Sequence, residues 1–318
     1  MPVTDEGIID IPGLMSRWVR LGNGAKAHYM TAGDTGPAVI LLHGGIAGSS
    51  GTAGWRFMAP FLAANGFRVY CPVQPGFGLA DTHEEYWPKN GPASHVQFVE
   101  DFSRALCLDE FHLAGNSMGC INTVNYLVAH PERVISFALI AGYVGNLVPP
   151  IPRSTDRPNT LYFDGDEPDM RELMESIIMN KSAITDDLIK MRVLAARRQK
   201  DSYAAWRDAF LHTYEGNLGA MLHTKDRLDK IDIPGIYLYG VDDVLIPVDE
   251  GYRQEEALSN IQFFFPEECG HQGQTDQPEM FAQAFMEFFR DGKVSRKTAD
   301  WAGVSKRRPE LASRVAQA

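Results

Sequence analysis

Ser117, His271 and an aspartate of the pair Asp242-Asp243 have the types and the order needed for acyl chemistry. Ser117 sits in Gly115-Asn116-Ser117-Met118-Gly119, and His271 ends Cys269-Gly270-His271. A serine hydroxyl attacks a carbonyl well only when a base takes its proton and a third group orients that base. The apolar run 111–114 leads into the serine, and a helical pattern follows it at Ile121, Val124, Leu127 and Val128. Strand, sharp turn and helix in that order lift the hydroxyl clear of a sheet edge. The aspartate pair and the histidine each follow a predicted strand, at 235–239 and 261–265. All therefore fall at C-terminal strand ends, where open α/β sheets place their sites.

The elements that carry these residues read as alternating strands and helices. Segments 17–21 and 25–31 predict a hairpin around Gly22-Asn23-Gly24. The run 38–42 (AVILL) is apolar throughout, as expected of a strand covered on both faces. It ends in His43-Gly44-Gly45, followed by a loop over 46–54. Helix 55–64, strand 67–71, helix 94–107, strand 111–114, helix 121–129 and strand 134–140 follow. Helix 121–129 stops at His130-Pro131, because proline cannot continue it. Between 145 and about 228 no strand is predicted. After a Pro-rich link at 148–152 come helices 170–179, 185–199 and 203–214. The α/β pattern then resumes with strand 235–239, a helix near 250–258, strand 261–265 and helix 279–289. The expected architecture is α/β, a mostly parallel doubly wound sheet with an inserted helical cap. The core takes 1–144 and 229–291, the cap 145–228, and the basic tail 292–318 is read as solvated, with packing on the body or on a partner as the alternative.

Composition narrows the partners. The 318 residues carry a formal net charge of −11, which excludes generic binding to nucleic acid or an anionic membrane surface. An anionic substrate would need a local cation to hold it. The first residues lack the basic start and apolar core of a signal peptide, and no apolar run is long enough for a membrane span. Four cysteines without CxxC spacing fit a reducing compartment, so the expectation is a cytoplasmic protein with free thiols. Cys120 and Cys269, near the candidate site, read as small apolar fillers. No metal or cofactor is expected, and homo-oligomerisation is left open.

With these residues in place the chain resembles the α/β-hydrolase superfamily over residues 25–290. The resemblance assigns the acid to Asp243, with Asp242 as the alternative. It implies an oxyanion hole from the Met118 N–H and a donor of the His43-Gly44-Gly45 loop, read as Gly45 N–H. A serine nucleophile sets the chain apart from the dehalogenases and epoxide hydrolases of the superfamily, which attack with aspartate.

Gly-Asn-Ser-Met-Gly and His-Gly-Gly further resemble the meta-cleavage-product hydrolases, which split a C–C bond in aromatic-ring catabolites. Segment 181–192 is similar to their stretch leading to a substrate-binding arginine, which maps onto Arg192. A guanidinium there would pair with a substrate carboxylate. His43, Gly44, Asn116 and Gln272 complete the expected substrate contacts. Three positions depart from that family. Gln272 stands where tryptophan is usual, Cys120 where a second glycine is usual, and Arg56 follows Trp55 where asparagine is usual. Phthalate-monoester hydrolases resemble the same family. The departures lead the sequence reading to an ester hydrolase acting on an anionic aromatic monoester. Apolar cap residues Met174, Ile177, Ile178, Met179, Trp206 and Phe210 would then supply the groups around the alkyl or aryl part, about a third of them lining the site and the rest, at helical spacing, belonging to the core. The alternatives are C–C hydrolysis of a 2-hydroxy-6-oxo-dienoate, and a non-catalytic ligand receptor on the same scaffold.

Overall fold

The central strands form where apolar residues run together, and the order of all the strands builds one sheet. In chain order they are β1 (Met15–Arg20), β2 (Lys26–Ala32), β3 (Ala38–Leu42), β4 (Arg68–Pro72), β5 (Phe111–Asn116), β6 (Val134–Ile140), β7 (Gly235–Leu238) and β8 (Ile261–Phe264). The structure, a computed structural model, describes residues 3–151, 160–215 and 223–308. The sheet order is β1-β2-β4-β3-β5-β6-β7-β8. β1–β2 and β2–β4 are antiparallel, and every pair from β4 through β8 is parallel. Alternate residues of β3 enter opposite cores: Ile40 and Leu42 on one face, Val39 and Leu41 on the other. Covered faces explain why this strand has no polar side chain.

The helices are α1 (Gly51–Trp55), α2 (Met58–Ala64), α3 (Pro92–Ala105), α4 (Met118–Ala129), α5 (Glu167–Ile177), α6 (Asp186–Arg198), α7 (Lys200–Glu215), α8 (Val248–Ala257), α9 (Gly273–Asp276), α10 (Pro278–Asp291) and α11 (Arg296–Trp301). Between β6 and β7 the described residues are helices and loops, as the sequence predicts. α5 starts on a capping box at Asp166, and α6 on Thr185, whose hydroxyl accepts from Leu188 N. No described helix is long and apolar enough to cross a membrane.

Two expectations change. The single helix over 55–64 is α1 and α2, separated at Arg56 and Phe57. There Arg56 turns inward and donates to the carbonyls of Ala53 and Ala183. The tail beyond Gly292 is not solvated along its described part. Val294, Ala299 and Ala302 are fully buried. The chain then pairs with β8 and its exit through Phe265 N to Gly303 O (2.7 Å) and Ser305 N to Phe263 O (3.0 Å). Small apolar residues spaced along the tail supply the packing that its basic composition hides. Residues 309–318 of the predicted tail, and 152 of the predicted link, lie outside the described residues.

Candidate active site

The turn between β5 and α4 holds Ser117 at φ 58° and ψ −116°. This positive φ is a strained conformation for a residue with a Cβ, costing about 1–3 kcal/mol. The flanking glycines make it attainable. A Cβ on Gly115 would lie 2.1 Å from the Gly119 carbonyl oxygen, and one on Gly119 would lie 2.2 Å from that of Leu42. The spacing of the motif is therefore a packing requirement between strand and helix. The Ser117 N–H donates to Ile140 O across 2.9 Å, tying the turn to β6.

His271 and Asp243 meet as the strand ends predict. His271 Nδ1 lies 2.8 Å from Asp243 Oδ2, both side chains being buried. The other carboxylate oxygen accepts from the N–H groups of Leu245 (2.8 Å) and Ile246 (2.9 Å). Asp242 is exposed, whereas Asp243 is buried against His271, so geometry chooses between the two neighbours. The histidine loop is held from two sides. Asn116 Nδ2 donates to His271 O (3.0 Å). Asp276 accepts from Gly270 N (2.8 Å) and, on its other oxygen, from Met179 N (2.9 Å) and Asn180 N (3.2 Å). Asp276 thus joins the helical segment to the histidine loop, a role with no sequence signal because its partners are backbone groups and two of them, on Met179 and Asn180, are nearly a hundred residues away.

Gly45 and Met118 stand together at the mouth of α4. A Cβ on Gly45 would lie 3.1 Å from Met118 Cβ and 2.8 Å from the Trp206 ring. Neither N–H has an acceptor among the described residues, and Met118 opens a helix whose first N–H groups have no partner within it. The loop before them is braced from behind. His43 Nε2 accepts from Gln74 N (3.0 Å), and Gln74 Nε2 donates to His43 O (2.9 Å). Asn122 connects Gln74 to His95. Burial pushes His43 down to about 3 and His95 to about 4, so both rings are neutral at pH 7. A neutral His43 spends Nδ1–H on Gly44 O and its lone pair on Gln74. Its expected substrate contact is therefore not made through a ring nitrogen, although the residue does line the site.

Two chambers meet at Ser117 and His271. The first is apolar, about 270 Å³, and lined by Ile121, Leu161, Trp206, Phe210, Leu245 and Ile246 among others. Of the six apolar cap residues named from the sequence, Trp206 and Phe210 line it, the expected third. Met174, Ile177 and Ile178 are core instead, and Met179 is exposed. The second chamber is polar and holds about 10 Å³ of free space, room for one water. His43, Gly44, Asn116, Arg192 and Gln272 line it, joined by Ser49 and Gln274, which the sequence reading missed.

Arg192 is the unusual group. It is 2% exposed, and its Nε and Nη1 have no hydrogen-bond partner among the described residues. Burial, and next the charge of Arg56, lower it to about 9, which leaves it protonated at pH 7. Cys120 and Cys269 are buried, and burial pushes the Cys120 thiol up to about 12, consistent with fillers rather than nucleophiles.

Known proteins share this arrangement of chain. A family model described as the alpha/beta hydrolase fold matches residues 37–183. The chain is 26% identical over 279 residues to 2-hydroxy-6-oxononadienedioate/2-hydroxy-6-oxononatrienedioate hydrolase 1 of Pseudomonas putida, covering 86% of this chain and 96% of that protein. It is 28% identical over 271 residues to the 2-hydroxy-6-oxo-6-phenylhexa-2,4-dienoate hydrolase of Burkholderia cepacia, covering 84% and 92%. The solved structure of the 2-hydroxy-6-oxo-6-phenylhexa-2,4-dienoate hydrolase from Rhodococcus sp. strain RHA1 superposes with a TM-score of 0.74 at 23% identity, covering 87% of this chain and 99% of that one.

Proposed function

We propose, from the premise that the chain is a serine hydrolase with the α/β-hydrolase fold, that it hydrolyses the C5–C6 bond of 2-hydroxy-6-oxo-hexa-2,4-dienoates whose 6-substituent is uncharged. The observation that carries this is the buried, unpartnered Arg192 on one side of Ser117, with an apolar chamber on the other. A dienoate has a carboxylate at one end, a ketone in the middle and an organic group beyond it. The reading puts the carboxylate on Arg192, the C6 ketone at Ser117 and the 6-substituent in the apolar chamber. The polar chamber must open to admit the acid end. The relatives favour this over the monoester reading that the sequence ranks first, since those described above are dienoate hydrolases by name.

The chemistry follows from the groups in place. C5 of the dienol cannot leave as a stabilised carbanion, so the 2-hydroxyl proton first moves to C5, giving a ketone at C2. Ser117 then gives its proton to His271 and its oxygen attacks C6. Asp243 keeps Nδ1 protonated, so Nε2 is free to accept that proton. Gly45 and Met118 N–H groups stabilise the C6 oxyanion. When it collapses, the C5–C6 electron pair moves through C4 and C3 to the C2 oxygen, and the acyl group stays on Ser117. The dienolate leaves with the proton from His271. Water, deprotonated by His271, resolves the acyl-enzyme to a carboxylic acid.

Among the described lining residues of the apolar chamber, His271 is the sole basic side chain. A second carboxylate buried there without a partner would cost several kcal/mol. The test is a substrate comparison on the purified protein, following loss of the dienoate's visible absorbance. The 6-phenyl dienoate is expected to exceed the nonadienedioate in kcat/KM by about tenfold or more. It is also expected to exceed monoethyl phthalate. Faster turnover of the phthalate monoester would return the ester reading.

A further inference from the structure

Gly45 is held from two sides. A side chain is excluded there, since a Cβ would lie 2.8 Å from the Trp206 ring. Glycine brings the freest backbone of any residue, yet an N–H that serves an oxyanion must be fixed in direction. Two hydrogen bonds remove the freedom. His43 Nδ1 donates to Gly44 O across 2.8 Å and fixes the peptide that carries the Gly45 N–H. The tautomer is set from behind, because His43 Nε2 accepts from Gln74 N. The peptide on the other side of the Gly45 Cα is fixed from α7, where the Tyr203 hydroxyl donates to Gly45 O across 3.1 Å.

Tyr203 has little freedom of its own. It is buried, and its ring meets those of Phe77 and Trp206, each at 5.4 Å between centroids. One turn earlier, Gln199 Nε2 donates to Gly78 O (3.2 Å) and Ala80 O (2.8 Å), pinning the start of α7 to the loop after β4. Tyr203 and Trp206 are three residues apart on one helix face, so hydroxyl and indole close on Gly45 together. Burial raises the phenol above its ordinary range, so it remains a donor at neutral pH.

We propose that Tyr203 is a positioning residue of the oxyanion hole: its hydroxyl locks the peptide after Gly45, so that the Gly45 N–H is aimed at the tetrahedral intermediate. This rests on the oxyanion role given to Gly45 above, and not on which bond is cleaved. A donor on the Gly45 carbonyl does not touch substrate. Its effect falls on the transition state, where the oxyanion forms, and little on the uncharged carbonyl of the ground state.

The test compares wild type with Tyr203→Phe, using 2,2,2-trifluoroacetophenone and acetophenone as inhibitors of the hydrolysis of neutral p-nitrophenyl acetate. With the trifluoro ketone, Ser117 Oγ bonds to the carbonyl carbon, its proton passes to His271, and the carbonyl π pair becomes an oxyanion. Acetophenone keeps its carbonyl and reads ground-state binding. Tyr203→Phe is expected to weaken the trifluoro ketone by about tenfold or more, to leave acetophenone within about threefold, and to lower ester kcat more than it raises KM. Equal weakening of both ketones would mean that Tyr203 only shapes the chamber, and would overturn the proposal, as would no change in either. If Tyr203→Phe does not fold, replacing Tyr203 by 4-aminophenylalanine or 4-methylphenylalanine decides. The two have the same shape, and only the amine can donate. The amine is expected to keep the trifluoro ketone affinity and the methyl variant to lose it; equal affinities overturn the proposal. Wild type holding the two ketones alike would sink the Ser117 and Gly45 reading and this proposal with it. A wild-type preference that survives in Tyr203→Phe sinks this proposal alone.

Discussion

The side-chain amide of Asn116 donates to the main-chain carbonyl of His271 across 3.0 Å, and also reaches Ile140 O at 3.3 Å. The residue before the serine thus holds the backbone of the histidine. Asn116→Leu removes this donor and leaves a buried carbonyl unpaired, a loss of about 1–3 kcal/mol in loop placement. kcat is expected to fall by roughly 10–100-fold on acidic and neutral substrates alike. Steady-state kinetics on both, beside a melting curve, check it. A loss confined to acidic substrates would mean that Asn116 serves the substrate rather than the loop.

The neighbouring aspartates separate cleanly. In Asp243→Asn the amide oxygen stays with the Leu245 and Ile246 N–H groups, so the NH₂ faces His271 Nδ1. Nδ1 must then accept, Nε2 carries the proton, and the ring cannot take one from Ser117. Turnover is expected to drop by roughly 1,000-fold or more with the fold intact. Asp242→Asn, on an exposed side chain, is expected to stay within about twofold.

Arg192→Met trades function for stability. An unpaired buried charge is removed, so the ligand-free protein is expected to gain about 1–4 kcal/mol at pH 7 in a denaturant titration. The sign follows from the lowered proton affinity. Folding pulls Arg192 from its ordinary value down to about 9, so the penalty is fully present below 9 and fades as pH rises above it. The same variant is expected to raise KM for the dienoate by about 100-fold and to spare p-nitrophenyl acetate. In wild type, dienoate KM should climb above pH 9 while the neutral ester's does not.

Gly48 presses on the backbone of that arginine. A Cβ there would lie 2.3 Å from Arg192 O, and φ is +75°. Gly48→Ala is expected to destabilise the protein by about 1–3 kcal/mol and to displace α6. Dienoate KM should rise more than ester KM, measured in parallel. Equal KM for both would separate the loop from the arginine.

Much of the site is legible in the residues. Gly-x-Ser-x-Gly after an apolar run, Gly-x-Asp-Asp and Gly-His after later runs are local signals, because strand burial and tight turns depend on neighbours in sequence. His43, Gly44, Asn116, Arg192 and Gln272, which the sequence singles out, line one chamber. The relatives reorder the substrate, because Gln272, Cys120 and Arg56 are departures whose weight no single sequence can set.

What only the tertiary structure decided depends on rotation and on distant partners. Helical periodicity marks the apolar faces of the cap helices, but not what they meet: Met174 and Ile177 turn into core, while Trp206 and Phe210 turn to the serine. The inward turn of Arg56 needs the Ala183 carbonyl, 127 residues on. That Arg192 is charged, buried and without a hydrogen-bond partner among the described residues follows from which groups surround it, a property of assembled space. The sequence by itself determined the serine at the tight turn, the histidine and the sheet edge they share. The fold decided which aspartate meets the histidine, and that the cation beside them has no hydrogen-bond partner among the described residues.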